Sequence, residues 1–224
     1  MKQGTFTGYT DQAADLFWGI RFNNDRQWFQ AHKQAFQDAV MTPTRALAAE
    51  LYDWFAEEYP ALHLNLHISR VYRDARRLFG RGPLNDHIWF SFQNAVENRS
   101  EAPCFWFQVG ADGYACGAGC WMAAATSAQL RRLIDNDPKQ AQKLLRLLDG
   151  QTAFTLTGPS YARAKGHADE PIGRLYNLRS MLLESAHGFD ARSASRELVD
   201  WVKDGFRFLL PFYQFMERAY TMAE

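Results

Sequence analysis

The 224 residues carry 25 Lys+Arg against 25 Asp+Glu, and 47% are apolar and 15% aromatic. That composition excludes a disordered polymer and leaves no whole-chain field to draw in an anionic membrane. The length suffices for one sizeable core, so a single domain over residues 1–224 is expected.

The opening Met1-Lys2-Gln3-Gly4-Thr5-Phe6 has no apolar run of the signal-peptide kind, and no later stretch is long enough to span a bilayer. A cytoplasmic protein without a membrane partner is expected. Cys104, Cys116 and Cys120 lack the Cys-x-x-Cys spacing of redox and zinc sites and read as reduced core residues.

Ala13, Leu16, Phe17 and Ile20 recur at helical spacing, which predicts a helix over residues 10–22. Asn24, with Gln27 three positions on, predicts the cap of a second helix that buries Trp28, Phe29, Phe36 and Val40 until Pro43 interrupts it. A third helix is expected from about Thr44 to Tyr59.

Period two then takes over. Leu64, Leu66 and Ile68 alternate with Asn65, His67 and Ser69, predicting a strand that continues to about Arg76. His87–Gln93 and Pro103–Gly110 are aromatic-rich strands, and Asp112-Gly113 predicts a two-residue hairpin turn into Tyr114–Trp121. Such a turn would pair Trp106 with Gly119 and Gln108 with Gly117, leaving a recess that serves either a closely packed helix or a ligand.

Thr126 with Gln129 reads as a capping box, and Asp137-Pro138 as the start of a helix ending near Gly150. A strand at 152–157, a polar loop at 158–170, a short helix near 171–178 and a strand at 181–185 follow. Leu198, Val199, Val202, Phe206, Leu209 and Leu210 predict a helix over 193–220, with Pro211 as a kink. The expected fold is α+β: a curved antiparallel sheet of about four to six strands, an N-terminal helical layer and a long C-terminal helix packed on the sheet.

Several segments resemble the bacterial domain of unknown function 2461 family. Phe6-Thr7-Gly8-Tyr9 fits its opening, and Asn24-Asp25-Arg26-Gln27-Trp28-Phe29 with Lys33, Phe36, Val40 and Pro43 fits its asparagine-initiated helix. Arg70, Arg73, Asp74 and Arg76 match the first half of its Arg-x-x-Arg-Asp-x-Arg-Phe hallmark, and Pro83 and His87 match the second. Arg77-Leu78-Phe79-Gly80-Arg81-Gly82 and Leu84-Asn85 depart from it. Asp112-Gly113 with Gly117 and Gly119 is similar to its glycine-rich hairpin, and Lys165-Gly166 with Pro171 to its later loop. The resemblance implies a shared fold and brings no substrate, cofactor or mechanism with it.

If the strand alternation holds, Arg70, Tyr72, Asp74 and Arg76 extend the apolar face of Leu64, Leu66 and Ile68, and charges there must pair or line a pocket. A structural ion-pair network would satisfy Asp74 with Arg70 or Arg76. Five arginines (70, 73, 76, 77 and 81) exceed one aspartate, however, which favours binding of a small phosphorylated or carboxylated anion by Arg70, Arg73 and Arg76, with Trp106 and Gln108 as further ligand contacts. Strict alternation sends Arg73 to the opposite face, so it joins them only if a bulge or the strand's end re-aims it near Asp74.

Asp74 and His87 are the candidates for a hydrolytic centre, and a partner-binding scaffold is the third alternative. No cofactor or metal is called for: His63 and His67 lack a metal-binding pattern. The balanced charge weighs against nucleic acid, although the arginine segment keeps it open. Oligomeric state is left open.

Overall fold

The computed structural model describes residues 4–94 and 101–223, without the side chain of Arg77. The fold is α+β. Helices α1 (Asp11–Asn23), α2 (Arg26–Phe36) and α3 (Thr42–Glu58) precede β1 (Asn65–Ile68), β2 (His87–Gln93), β3 (Cys104–Gly110) and β4 (Gly113–Cys120). Helices α4 (Ala124–Asn136) and α5 (Pro138–Asp149), strand β5 (Thr155–Thr157), the short α6 (Gly173–Tyr176), strand β6 (Met181–His187) and the long α7 (Glu197–Thr221) follow. The six strands form one antiparallel sheet in the order β1-β2-β3-β4-β6-β5. No helix among the described residues is long and apolar enough to cross a membrane.

Several boundaries differ from expectation for identifiable reasons. Pro43 does not interrupt the helix, because a π turn (Gln37–Met41) joins α2 to α3 and places the proline in the first turn of α3, where its missing N–H costs little. Asn24 does not cap α2. It ends α1 in the left-handed region at φ 42°, and the Asp25 carboxylate accepts from the Trp28 amide instead. The Asn24 carboxamide is used at long range, donating to the Leu84 carbonyl at 3.2 Å and accepting from the Leu84 amide at 2.9 Å. Helix α4 starts two residues before Thr126, which is buried and caps nothing, whereas Asp137 caps α5 by accepting from Gln140 N–H at 3.2 Å.

The chain groups into two compact units, and β2, β3, β4, β6 and α7 each divide their residues between them. The first comprises Met1–Phe92, Trp106–Ala115 and Ala186–Asp204. Its interior holds Phe17, Ile20, Leu47, Phe90, Phe107 and Val202, all fully buried. Phe55 of α3 meets Phe92 of β2 with ring centroids 5.2 Å apart, and Phe90 stacks on Phe107 of β3 at 5.2 Å, so the helical layer and the sheet share an aromatic interior. The Phe6-Thr7-Gly8-Tyr9 segment is strapped down here. Phe6 and Tyr9 are buried, Tyr9 N–H donates to the Ser193 carbonyl at 2.8 Å, and a Cβ on Gly8 would lie 2.2 Å from the Ala194 backbone.

The second unit comprises Gln93–Phe105, Cys116–Ser185 and Gly205–Glu224. Here the later part of α7 packs on the sheet: Phe105 stacks on Tyr213 at 4.5 Å, and Gly205 lets the helix approach Cys116 and Phe154. The helix continues through Pro211. All three cysteines are free thiols. Burial pushes those of Cys104 and Cys120 up to about 12, so neither is poised as a nucleophile. A Cβ on Gly119 would lie 2.5 Å from the Met181 carbonyl. That glycine therefore serves the close approach of β4 to β6, and neither a helix nor a ligand floor.

The hairpin turn falls at Ala111-Asp112, with Gly113 opening β4 at φ 118°, so the residue pairs expected from a turn at Asp112-Gly113 no longer follow. Only glycine fits position 113, where a Cβ would lie 2.1 Å from the His187 carbonyl oxygen and the backbone is one that L side chains rarely adopt. Gly113→Ala is expected to destabilise the protein by about 2–3 kcal/mol in a denaturant melt. Gly188→Ala, at a neighbouring position open on all sides, should change stability by less than about 0.5 kcal/mol. Equal effects of the two substitutions would contradict this reading of the turn.

Candidate functional site

The arginine segment leaves the sheet earlier than alternation suggests. After β1 ends at Ile68, Ser69 still exchanges bonds with Trp89, through its N–H at 2.8 Å and its hydroxyl at 2.9 Å. Beyond it the chain pairs instead with 83–85: Tyr72 bridges Leu84, Arg73 N–H donates to the Pro83 carbonyl at 2.8 Å, and Asn85 N–H donates to the Val71 carbonyl at 2.7 Å. Asp74 then opens a single 3-10 turn, Ala75–Arg77, by accepting from the Arg76 amide at 3.0 Å. A run of charges covered on a sheet face would be costly to desolvate, and an aspartate that bonds its own backbone two residues on offers the chain a way out.

This geometry redistributes the expected site residues. Arg70 is exposed. Arg76 pairs with Asp74 at 2.7 Å, but its side chain is 88% exposed, so the pair lies in water and not on a covered face. Arg73, expected to point away, is the arginine drawn into the structure: its Nε and Nη1 are buried and find no hydrogen-bond partner among the described residues. The Arg77 side chain lies outside the described residues. Trp106 and Gln108 sit on β3, both partly buried. His87 opens β2 and takes a carboxylate partner from Asp86, not from Asp74.

Two concavities of the first unit gather these groups. One, of about 350 Å³, is lined by Arg26 and Gln30 from α2, Tyr72, Arg73, Ala75, Leu78 and Pro83. Its wall is fixed by Gln30 Nε2 donating to the Tyr72 hydroxyl at 3.2 Å and by Phe29 meeting the Tyr72 ring edge-on at 5.5 Å. It holds two guanidinium groups and no carboxylate among its lining residues. Arg26 escaped the sequence reading because the first position of a helix looks like ordinary solvated surface; its membership depends on Asn24 anchoring the start of α2 to Leu84.

The other concavity, of about 320 Å³, lies at the ends of β2, β3, β4 and β6 and includes Arg21, Asp86, His87, Gln108, Asp112, Tyr114 and His187. Trp106 and Asp74 are absent from its lining. Its geometry is held by Arg21, whose Nε donates to Asp86 Oδ2 at 2.6 Å while Nη1 and Nη2 donate to Asp112 Oδ1 and Oδ2 at 2.6 and 2.7 Å. The other Asp86 oxygen meets His87 Nδ1 at 3.2 Å. Gly110 allows the strands to close, since a Cβ there would lie 2.7 Å from the His87 Cβ. Sequence reasoning missed Arg21, Asp86 and Asp112, because no spacing rule joins residues 65 and 91 positions apart.

These bonds set the charges. Two carboxylates hold the Arg21 guanidinium firmly protonated, with the Asp112 bonds foremost. The Arg21 bonds keep the Asp112 carboxyl below the usual carboxylate range. At Asp86 burial works the other way, yet the bonds from Arg21 and His87 leave its carboxyl lowered as well. A carboxyl lowered in the folded state contributes stability above its unfolded value of about 3.9, and that contribution disappears as pH falls through the folded value. Arg21→Gln should therefore cost about 1 kcal/mol near neutral pH. It should also flatten the loss of stability between about pH 5 and pH 2, as read from urea midpoints across that range. Parallel profiles for variant and wild type would rule the clamp out.

No curated protein matches this chain. A family model described as a conserved hypothetical protein (DUF2461) matches residues 12–215. That span contains the Asn24 anchor, the arginine segment and both concavities, and the chain belongs to the DUF2461 family.

Proposed function

We propose that the protein binds a small phosphorylated or carboxylated anion in the recess between α2 and the 72–83 segment, with Arg73 and Arg26 as its charged contacts. The observation that carries this reading is the Arg73 guanidinium, two of whose nitrogens are buried and unpaired among the described residues. Leaving such donors unpaired costs about 1–3 kcal/mol each, so this side chain gains more than its neighbours by moving onto an arriving oxyanion. The forked guanidinium suits the paired oxygens of phosphate and carboxylate, and Arg26 adds a second positive charge with no lining carboxylate to cancel it. Arg76, already occupied by Asp74 in water, has no comparable gain. Two arginines in a recess of this size favour a small ligand over the long phosphate track of a nucleic acid.

Titration calorimetry with inorganic phosphate, pyrophosphate, citrate and acetate tests the proposal. Wild type is expected to bind at least one of them; Arg73→Lys should weaken binding about tenfold or more, and Arg76→Lys should leave it unchanged. Arg73→Met should abolish binding without loss of unliganded stability, because it removes unpaired buried donors. No binding by wild type, together with a destabilised Arg73→Met, would make Arg73 structural and overturn the proposal.

A further inference from the structure

The Arg73 recess is larger than the anionic group its guanidiniums would hold. At about 350 Å³ it reaches the size of pockets that enclose whole organic ligands, from about 300 Å³ upward, whereas an inorganic oxyanion would leave part of it to water. Apart from Arg26, Gln30 and Arg73, its lining consists of Tyr72, Ala75, Leu78 and Pro83. Water against such apolar walls is unfavourable, and an apolar group of the ligand gains by displacing it.

The apolar walls are held by bonds already in place. Arg73 N–H donates to the Pro83 carbonyl at 2.8 Å while Tyr72 bridges Leu84, which sets Pro83 beside the Tyr72-Arg73 step. Leu78 opens a turn closed by Arg81 N–H donating to its carbonyl at 2.8 Å. Gln30 holds the Tyr72 hydroxyl and Phe29 meets the ring edge-on, yet Tyr72 stays 38% exposed. Apolar surface is therefore left uncovered next to the buried, unpaired nitrogens of Arg73. The charge of the head group follows from the same lining. Two guanidiniums without a lining carboxylate match a phosphate monoester, which carries about −1.5 to −2 charges at pH 7, whereas a monocarboxylate would leave one of them unmatched.

We propose that the ligand of this recess is an organic phosphate monoester, its phosphate on Arg73 and Arg26 and its apolar body, an aromatic ring or a group of like size, against Tyr72, Leu78 and Pro83. This rests on the Arg73 reading and narrows it from any small anion to one ligand class.

The test is calorimetric titration of the full chain with phenyl phosphate, inorganic phosphate and benzoate at equal ionic strength and neutral pH. Phenyl phosphate is expected to bind about tenfold tighter than inorganic phosphate, from the apolar area its ring buries, and tighter than benzoate. Leu78→Ser should narrow the gap between the two phosphates to about threefold and leave the affinity for inorganic phosphate unchanged, whereas Arg73→Met should abolish binding of both. Equal affinities of wild type for the two phosphates, tighter binding of benzoate, or a gap unaltered by Leu78→Ser would overturn this inference while leaving the Arg73 site standing. No binding of phenyl phosphate would overturn it too; Arg73-dependent binding of pyrophosphate or citrate would then preserve the broader reading, and its absence would end both.

Discussion

The Arg21 guanidinium joins the end of α1, the residue before β2 and the turn between β3 and β4 by three short bonds. Each partner lies in a loop or at an element terminus, where backbone freedom is greatest. The clamp is what gives the strand ends a defined shape: with it, Asp86 is oriented to hold His87, and the Ala111-Asp112 turn is held beside α1. Arg21 holds both carboxyls below the usual carboxylate range, and the cavity is negative because two carboxylates share one cation. Geometry and sign of charge come from the same group.

Asn24 does the corresponding work for the arginine recess. A left-handed residue between α1 and α2 is tolerated by asparagine, and the same side chain pairs with both backbone groups of Leu84, 60 residues on. That fixes α2, and with it Arg26 and Gln30, against the segment carrying Tyr72 and Arg73. The asparagine thus terminates one helix, sets the position of the next and closes a site wall. Gly82 completes the fit, as a Cβ there would lie 2.2 Å from Asn24 Oδ1.

Local pattern made the elements legible: the helical spacing of Leu16, Phe17 and Ile20, the alternation at residues 64–69, the aromatic-rich runs that became β2 and β3, and the Asp137-Pro138 start all correspond to structure. Local rules failed where a tertiary partner outbid them. Asn24 fits a cap pattern but is claimed by Leu84; Pro43 fits a break but is absorbed by a π turn; Thr126 fits a capping box but is buried inside α4. In the arginine segment the residue types pointed to anion chemistry while the alternation assigned the wrong faces, because Asp74 and the pairing of 71–73 with 83–85 take the chain out of the strand. Arg73 therefore turns inward and Arg70 and Arg76 outward. His87 and Gln108 were legible as candidates, but their company of Arg21, Asp86 and Asp112 is set by long-range packing that spacing does not encode.

We propose that Arg73, and not its neighbours in the same motif, answers to an anion. Arginine side-chain NMR separates them directly, by following each Nε–H resonance as inorganic phosphate is added at constant ionic strength. A saturable shift of the Arg73 Nε–H is expected, with those of Arg70 and Arg76 changing only weakly and linearly. A saturable response from Arg70 or Arg76 with Arg73 unmoved would contradict it.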